Sequence, residues 1–295
     1  MSLSSICYLN GDYQPLEQAK VSVLDRGFIF GDGVYEVIPA YGGHLFRLQQ
    51  HLQRLDNSLK AIKLTNPLSN PQWQNMLQML VEKNQDQNNG DQSIYLQLTR
   101  GVAKRDHSFP QNTPATVFAM SNPLPTADME KMQAGVAAIT LDDIRWRYCH
   151  IKTIALLPNI LLKQEAIEKH ASEAILVREG LVTEGSSSNL FIVNRGVIKT
   201  PVKSEQLLPG VTRDLIVELA QKNGLACEQT TISETELLAA DEVWLSSSTR
   251  EILPVTRLNE KMVGEGTAGP LWRKMIKIYQ TYKQQLRAGA EIEPT

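Results

Sequence analysis

The chain has 295 residues, of which 42% are hydrophobic, and a formal net charge of −2. That length gives one large domain or two with ample core, and the near-neutral balance offers nothing to a polyanion such as nucleic acid. No run of about 18 apolar residues occurs, so no membrane span is expected, and Met1–Tyr8 lacks the basic start and apolar run of a signal peptide. Cys7, Cys149 and Cys227 are far apart and without metal-ligand spacing, so they read as reduced thiols of a cytoplasmic protein.

In chain order, residues 6–9 and 13–16 flank Asn10-Gly11, a two-residue hairpin signal. The segment Asp25–Ile38 carries Gly27, Gly31 and Gly33. It lacks a Gly-Lys-Ser/Thr ending and a Gly-x-Gly-x-x-Gly helix opening, which sets aside a nucleotide loop and leaves a bent strand. Tyr41-Gly42-Gly43-His44 reads as a second hairpin turn. Leu48, Leu52, Leu55 and Leu59 then follow helical spacing on an amphipathic helix that also carries Arg54. A further helix is expected over 71–84, with Trp73, Met76, Leu77 and Leu80 on its apolar face. Asn84–Gln92 reads as a solvated polar loop, and Ser93–Thr99 alternates as a strand. The strand leads into Arg100–Pro110, whose Arg105-x-His107 is by itself a basic exposed loop. A strand at 115–120 precedes the Pro-rich connector Ser121–Thr126. The expected organisation is a domain at 1–122, a linker at 123–128 and a second domain at 129–295.

In the second half, Lys152 stands among Ile151, Ile154, Leu156 and Leu157, which places its amine near a core. Such an amine is available as a nucleophile toward a carbonyl, although on these residues alone a lysine snorkelling at a strand end is the favoured reading. A helix over 158–169 starts at a proline, and Ala174–Val177 is a short apolar strand. Glu184-Gly185-Ser186-Ser187-Ser188-Asn189-Leu190-Phe191 puts a carboxylate ahead of hydroxyl-rich residues and then returns to a strand. Ile198-Lys199-Thr200 follows, then Leu208-Pro209-Gly210-Val211-Thr212-Arg213. The helix opening at Gly210–Thr212 ends near Asn223-Gly224, and its first N–H groups suit an anion such as phosphate. Ser233-x-x-Glu236 is a capping box, and Glu242–Leu245 is a buried-type strand running into Ser246–Thr249. Leu271–Leu286 reads as a terminal amphipathic helix, and Ala288 onward as a frayed tail.

The ordered set from Glu184 to Arg213, with Lys152 ahead of it, resembles the class IV aminotransferases. That family holds D-amino acid and branched-chain aminotransferases and aminodeoxychorismate lyase. The resemblance implies an α+β protein of fold type IV: a small N-terminal α/β domain, a larger C-terminal pseudo-barrel α/β domain, and pyridoxal 5′-phosphate between them. It implies Lys152 as the catalytic residue that carries the cofactor, Glu184 at the pyridine nitrogen, and Arg54, Ser187, Val211, Thr212 and Ser248 as further cofactor-binding residues. Family members commonly offer threonine where Ser248 stands. Tyr35 stands at the position that reaches substrate. D-amino acid aminotransferases carry an Arg-x-His pair in the loop that holds Arg105 and His107, where it helps hold the substrate α-carboxylate. The branched-chain enzymes and the lyase do not share that arrangement. The resemblance therefore implies a homodimeric enzyme moving the amino group of D-amino acids to a 2-oxo acid, with active sites near the subunit interface. A branched-chain L-amino acid aminotransferase is the nearest alternative, followed by the lyase and an amine transaminase. A protein that keeps the fold without turnover is the alternative of another class.

Overall fold

The computed structural model describes residues 5–85, 90–125 and 128–290. The first four residues, the centre of the polar segment (86–89), positions 126 and 127 of the expected linker, and the tail from 291 lie outside the described residues. The chain divides into two compact units. Of the described residues, one comprises those up to 125 with 151–155 and 285–290; the other comprises 128–150 and 156–284.

The elements of the first unit are β1 (Ile6–Leu9), β2 (Asp12–Pro15), α1 (Arg26–Phe30), β3 (Gly33–Tyr41), β4 (His44–Leu45), α2 (Leu48–Ala61), α3 (Asn70–Lys83), β5 (Gln92–Thr99) and β6 (Thr116–Pro123). Its sheet has the order β2-β1-β6-β5-β3-β4. Asn10 and Gly11 take positive φ (51° and 113°), the two-residue turn that lets β1 fold directly back on β2. The segment read as a bent strand begins instead as a helix. Asp25 accepts a hydrogen bond from Gly27 N (2.8 Å), which caps α1, and Gly31 ends it in the left-handed region at φ 67° before β3 starts. On α2, Leu52, Leu55 and Leu59 are at most 1% exposed. They pack with Trp73, Leu77 and Leu80 of α3 over Ile38 of β3 and over Ile94, Leu96 and Leu98 of β5. Each such side chain contributes roughly 1.5–3 kcal/mol by leaving water. Ser69 and Gln72 form a capping box that starts α3.

The second unit contains α4 (Met129–Ala134), β7 (Val136–Asp142), α5 (Leu157–Glu168), β8 (Glu173–Arg178), β9 (Leu181–Gly185), β10 (Asn189–Asn194), β11 (Val197–Thr200), α6 (Val211–Lys222), β12 (Cys227–Gln229), α7 (Glu234–Leu238), β13 (Glu242–Ser247), β14 (Glu251–Leu258), β15 (Lys261–Met262) and α8 (Pro270–Arg287). The sheet order is β12-β11-β10-β13-β14-β7-β8-β9, with β15 on β14. β9 at one end and β10 near the other are joined by only Ser186–Ser188, and Gly185 N donates to Ser188 O at 2.7 Å. So short a link between distant strands requires the sheet to curl back on itself as a half-barrel. Inside the curl lie Ile175, Leu190, Ile192, Val243, Leu245 and Val255. Among the described residues no helix is long and apolar enough to cross a membrane.

Candidate functional site

The candidate residues form two groups, one in each unit. In the first, Ile151–Ala155 runs antiparallel beside the start of β3. Tyr35 N donates to Lys152 O (2.9 Å), Ile154 N donates to Gly33 O (3.1 Å), and Val34 bridges to Thr153. The approach depends on Gly33, where an added Cβ would lie 2.4 Å from Leu98 O and 2.9 Å from Ile154 Cδ1. Lys152 N donates to Ser58 Oγ (3.2 Å), and Lys152 Nζ lies 4.1 Å from the centroid of the Tyr35 ring. The amine is half-buried and forms no ion pair within its unit among the described residues, so Tyr35 is its electrostatic partner through the ring face.

Alternation along β3 turns Glu36 to the face opposite Tyr35, into full burial. There α2 presents His51, Arg54 and Ser58 at helical spacing. Glu36 accepts from Arg54 Nε (2.8 Å) and Nη2 (2.7 Å), and its Oε2 lies 2.8 Å from His51 Nδ1. Burial works against the Glu36 charge, but the Arg54 guanidinium outweighs it and holds the carboxyl down at about 2. Burial also pushes His51 below its ordinary value.

Arg105 and His107 both lie near one ring. The Arg105 guanidinium carbon lies 5.5 Å from the Phe30 centroid, and the His107 ring lies 5.5 Å from it centroid to centroid. Both side chains are exposed. Their loop is fastened by Arg26, whose Nη1 donates to Asp106 O (2.6 Å) and Ser108 O (3.3 Å). Arg26 Nε and Arg100 Nε each lie 2.8 Å from Asp32 Oδ2. The Asp106 carboxylate accepts from Ser108 N at 2.8 Å in a local turn.

In the second unit, Glu184 is 4% exposed at the end of β9. Its Oε1 accepts from Arg145 Nη1 (2.6 Å), and its Oε2 accepts from Asn189 Nδ2 (3.1 Å) and Leu208 N (3.0 Å). Burial raises the Glu184 carboxyl, with Arg145 and the Leu208 N–H pulling the other way. Burial also opposes the Arg145 charge, yet Asp143 and Glu184 outweigh it and hold the guanidinium more firmly protonated. Asp143 takes Arg145 Nε and Nη2, both at 2.9 Å, and also Arg178 Nη2 at 3.1 Å.

Asn189 connects this carboxylate to α6. Its Nδ2 also donates to Leu208 O (2.8 Å), and its Oδ1 would lie 1.9 Å from a Cβ at Gly210, the N-cap of α6. Val211 and Thr212 open the helix, 4% and 2% exposed. Thr212 Oγ1 is buried with no hydrogen-bond partner among the described residues, beside first-turn N–H groups that a helix leaves unpaired. Ser187 is exposed, and its Oγ donates to Glu173 Oε2 (2.9 Å). Ser248 is half-buried in the turn after β13. Motif reading does not reach Glu36, His51, Ser58, Asp143, Arg145 or Glu173, and it includes Asn189 without giving it a role. The helical spacing of His51, Arg54 and Ser58 is visible in the sequence, but nothing local marks Glu36 as their partner.

The chain matches the amino-transferase class IV family model over residues 33–258. It is 41% identical to the D-alanine aminotransferase of Bacillus licheniformis, over 92% of this chain and 94% of that protein. It is 38% identical to that of Staphylococcus haemolyticus, over 93% and 96%. Among solved structures it is similar to the T.th. branched-chain amino acid aminotransferase with pyridoxamine 5′-phosphate, with a TM-score of 0.87 and 27% identity over 98% of this chain and 96% of that one. It is likewise similar to the branched-chain amino acid aminotransferase of Escherichia coli, with a TM-score of 0.84 and 26% identity over 99% and 97%. With its α+β fold of type IV, the chain belongs to the class IV aminotransferases.

Proposed function

We propose that the chain catalyses transamination of D-amino acids, of the type D-alanine plus 2-oxoglutarate giving pyruvate plus D-glutamate, in a cytoplasmic homodimer. The observation that carries this reading is its higher identity to D-alanine aminotransferases than to the branched-chain enzymes whose fold it shares. Arg105 and His107, exposed beside Phe30, supply hydrogen-bond donors for an α-carboxylate.

Class IV aminotransferases depend on pyridoxal 5′-phosphate. The residues present fit it: the buried, unpartnered Thr212 hydroxyl and the open first turn of α6 are the donor set a phosphate requires. When bound, the cofactor supplies an electron sink for the substrate α-carbon. Lys152 would anchor it through Nζ and, once released, move the α-proton. Tyr35 orients that amine through its ring and bears the hydroxyl that meets substrate. Glu184, fixed by Arg145, Asn189 and Leu208 N, would hold a proton at the pyridine nitrogen. Val211 N, Thr212, Ser187, Ser248 and Arg54 would bind the cofactor, and Arg105 and His107 would select the enantiomer by fixing which side takes the carboxylate.

Two exposed apolar groups support the dimer. Val23 and Phe28 are 70% and 76% exposed in the first unit, and Leu157, Ile160 and Leu161 of α5 are 66%, 60% and 54% exposed in the second. The deciding experiment follows the visible absorbance of the cofactor-loaded protein while D-alanine and, separately, L-leucine or L-alanine are added. Bleaching by D-alanine alone is expected. Bleaching by the L-amino acids alone would move the assignment to the branched-chain reading. A protein that takes up no cofactor would sink the enzyme reading.

A further inference from the structure

Glu173, at the start of β8, is fully buried. Its carboxylate accepts from the hydroxyls of three consecutive serines: Ser186, Ser187 (2.9 Å) and Ser188 (3.2 Å). Ala174 N adds a further bond at 3.2 Å, and Lys163 Nζ stands 4.0 Å away. The serines make up the loop that joins Glu184 and Gly185 to Asn189. Another donor comes from elsewhere: Arg250 Nη2 lies 2.6 Å from Glu173 Oε2 and 3.1 Å from Ser187 Oγ. Arg250 closes the turn that carries Ser248, and its own N–H donates to Ser247 Oγ at 3.3 Å. One guanidinium therefore ties the turn after β13 to the 186–188 loop through a fully buried carboxylate.

The pairing is built for rigidity. Gly185 leaves no room for a side chain, since its Cβ would lie 2.3 Å from Ser188 Oγ and 3.2 Å from Glu173 Cγ. The Glu173 carboxylate has its oxygens engaged by hydroxyls and a guanidinium, so the loop has one low-energy arrangement. Arg250 is the cation that neutralises it from the facing turn, and its side chain is 33% exposed, so it can leave without opening a cavity.

We propose that Arg250 is a positioning residue for the cofactor phosphate: by pairing with Glu173 and Ser187 while its own N–H holds Ser247, it fixes the turn that carries Ser248 against the 186–188 loop. The inference rests on the cofactor reading proposed above. It concerns the phosphate alone, because neither Arg250 nor Glu173 touches Glu184.

The test is titration of the cofactor-free protein with pyridoxal 5′-phosphate and, separately, with pyridoxal, followed by visible absorbance. R250A is expected to weaken pyridoxal 5′-phosphate binding about ten- to hundredfold, the range for outer partners of a bound group, and to leave pyridoxal binding unchanged. R250K is expected to recover part of the loss. Equal weakening of both ligands, or of neither, overturns the proposal, since a general structural role does not distinguish them. Should R250A fail to fold, R250Q keeps the length, removes the charge and is read in the same way. A wild-type chain that binds neither ligand overturns the cofactor reading and this one with it, whereas a wild-type chain that binds both and an R250A that behaves identically overturns this one alone.

Discussion

Lys152 holds its amine over the Tyr35 ring and forms no ion pair within its unit among the described residues, which suits the covalent role proposed for it. On that proposal, replacing it by alanine removes both the nucleophile and the proton carrier. Transamination is expected to fall by roughly 10²–10⁴-fold or more, read as initial rate with D-alanine, while the thermal midpoint of the cofactor-free protein stays within a few degrees. For R105A/H107A, kcat/KM for D-alanine should fall roughly tenfold or more for each charge-assisted hydrogen bond removed. The same pair of changes should leave slow turnover of a neutral amine untouched. Behind Tyr35, the buried carboxylate of Glu36 makes a pH prediction. Its folded value of about 2 lies below its ordinary 4.5, so its contribution is complete above about 4.5 and is lost as the pH falls toward 2. The shift corresponds to on the order of 3 kcal/mol. His51 is also lowered, so charging it costs the folded state and the decline begins below its ordinary 6.5. Urea midpoints measured from pH 7 to pH 3 should show this acid loss, and E36Q should destabilise at pH 7 while flattening the limb below 4.5.

At the scale of elements, the start of α6 holds a deliberate defect. A buried hydroxyl without a partner costs about 1–3 kcal/mol, and Thr212 Oγ1 is such a group among the described residues. T212V keeps the shape and removes the hydroxyl. It should therefore raise the thermal midpoint of the cofactor-free protein and weaken its uptake of pyridoxal 5′-phosphate, two opposite signs from one substitution. If both move the same way, the hydroxyl is not a ligand. Two residues earlier, G210A forces a Cβ to 1.9 Å from Asn189 Oδ1. Overpacking of this kind costs about 1–3 kcal/mol. Because Asn189 also holds Glu184, the effect should extend to the absorbance of the loaded enzyme as well as its stability. Many elements can be read locally: the Asn10-Gly11 hairpin, the leucine stripe of α2 and the capping box of α7 each carry their own signal. One that cannot is α1. Its five residues are too few for a helical period, and it exists because Asp25 is held by Thr99 and Thr116 from β5 and β6.

For the whole molecule, the exposed apolar groups set the expectation. A chain of 33.0 kDa should sediment as a particle of twice that mass. A double change of Leu157→Lys and Ile160→Lys on α5, both largely exposed in the single chain, should yield a monomer with an unchanged thermal midpoint before assembly and little transaminase activity. A fully active monomer would remove the dimer from the mechanism.

Residue order alone is enough to establish the family, because the motif from Glu184 to Arg213, with Lys152 ahead of it, is a contiguous chemical signature that needs no knowledge of distances. It is also enough for the helices and strands whose hydrophobic period repeats over two turns or more. Tertiary packing settles what those residues lean on. Ile151–Ala155 groups with the first unit although its sequence neighbours belong to the second, because its backbone finds its hydrogen bonds on β3. The pairs Glu36 with Arg54, Arg145 with Glu184 and Arg250 with Glu173 join residues that are 18, 39 and 77 positions apart. No local period or spacing encodes such pairs, since each exists only after burial has made an unpaired charge too costly to leave alone.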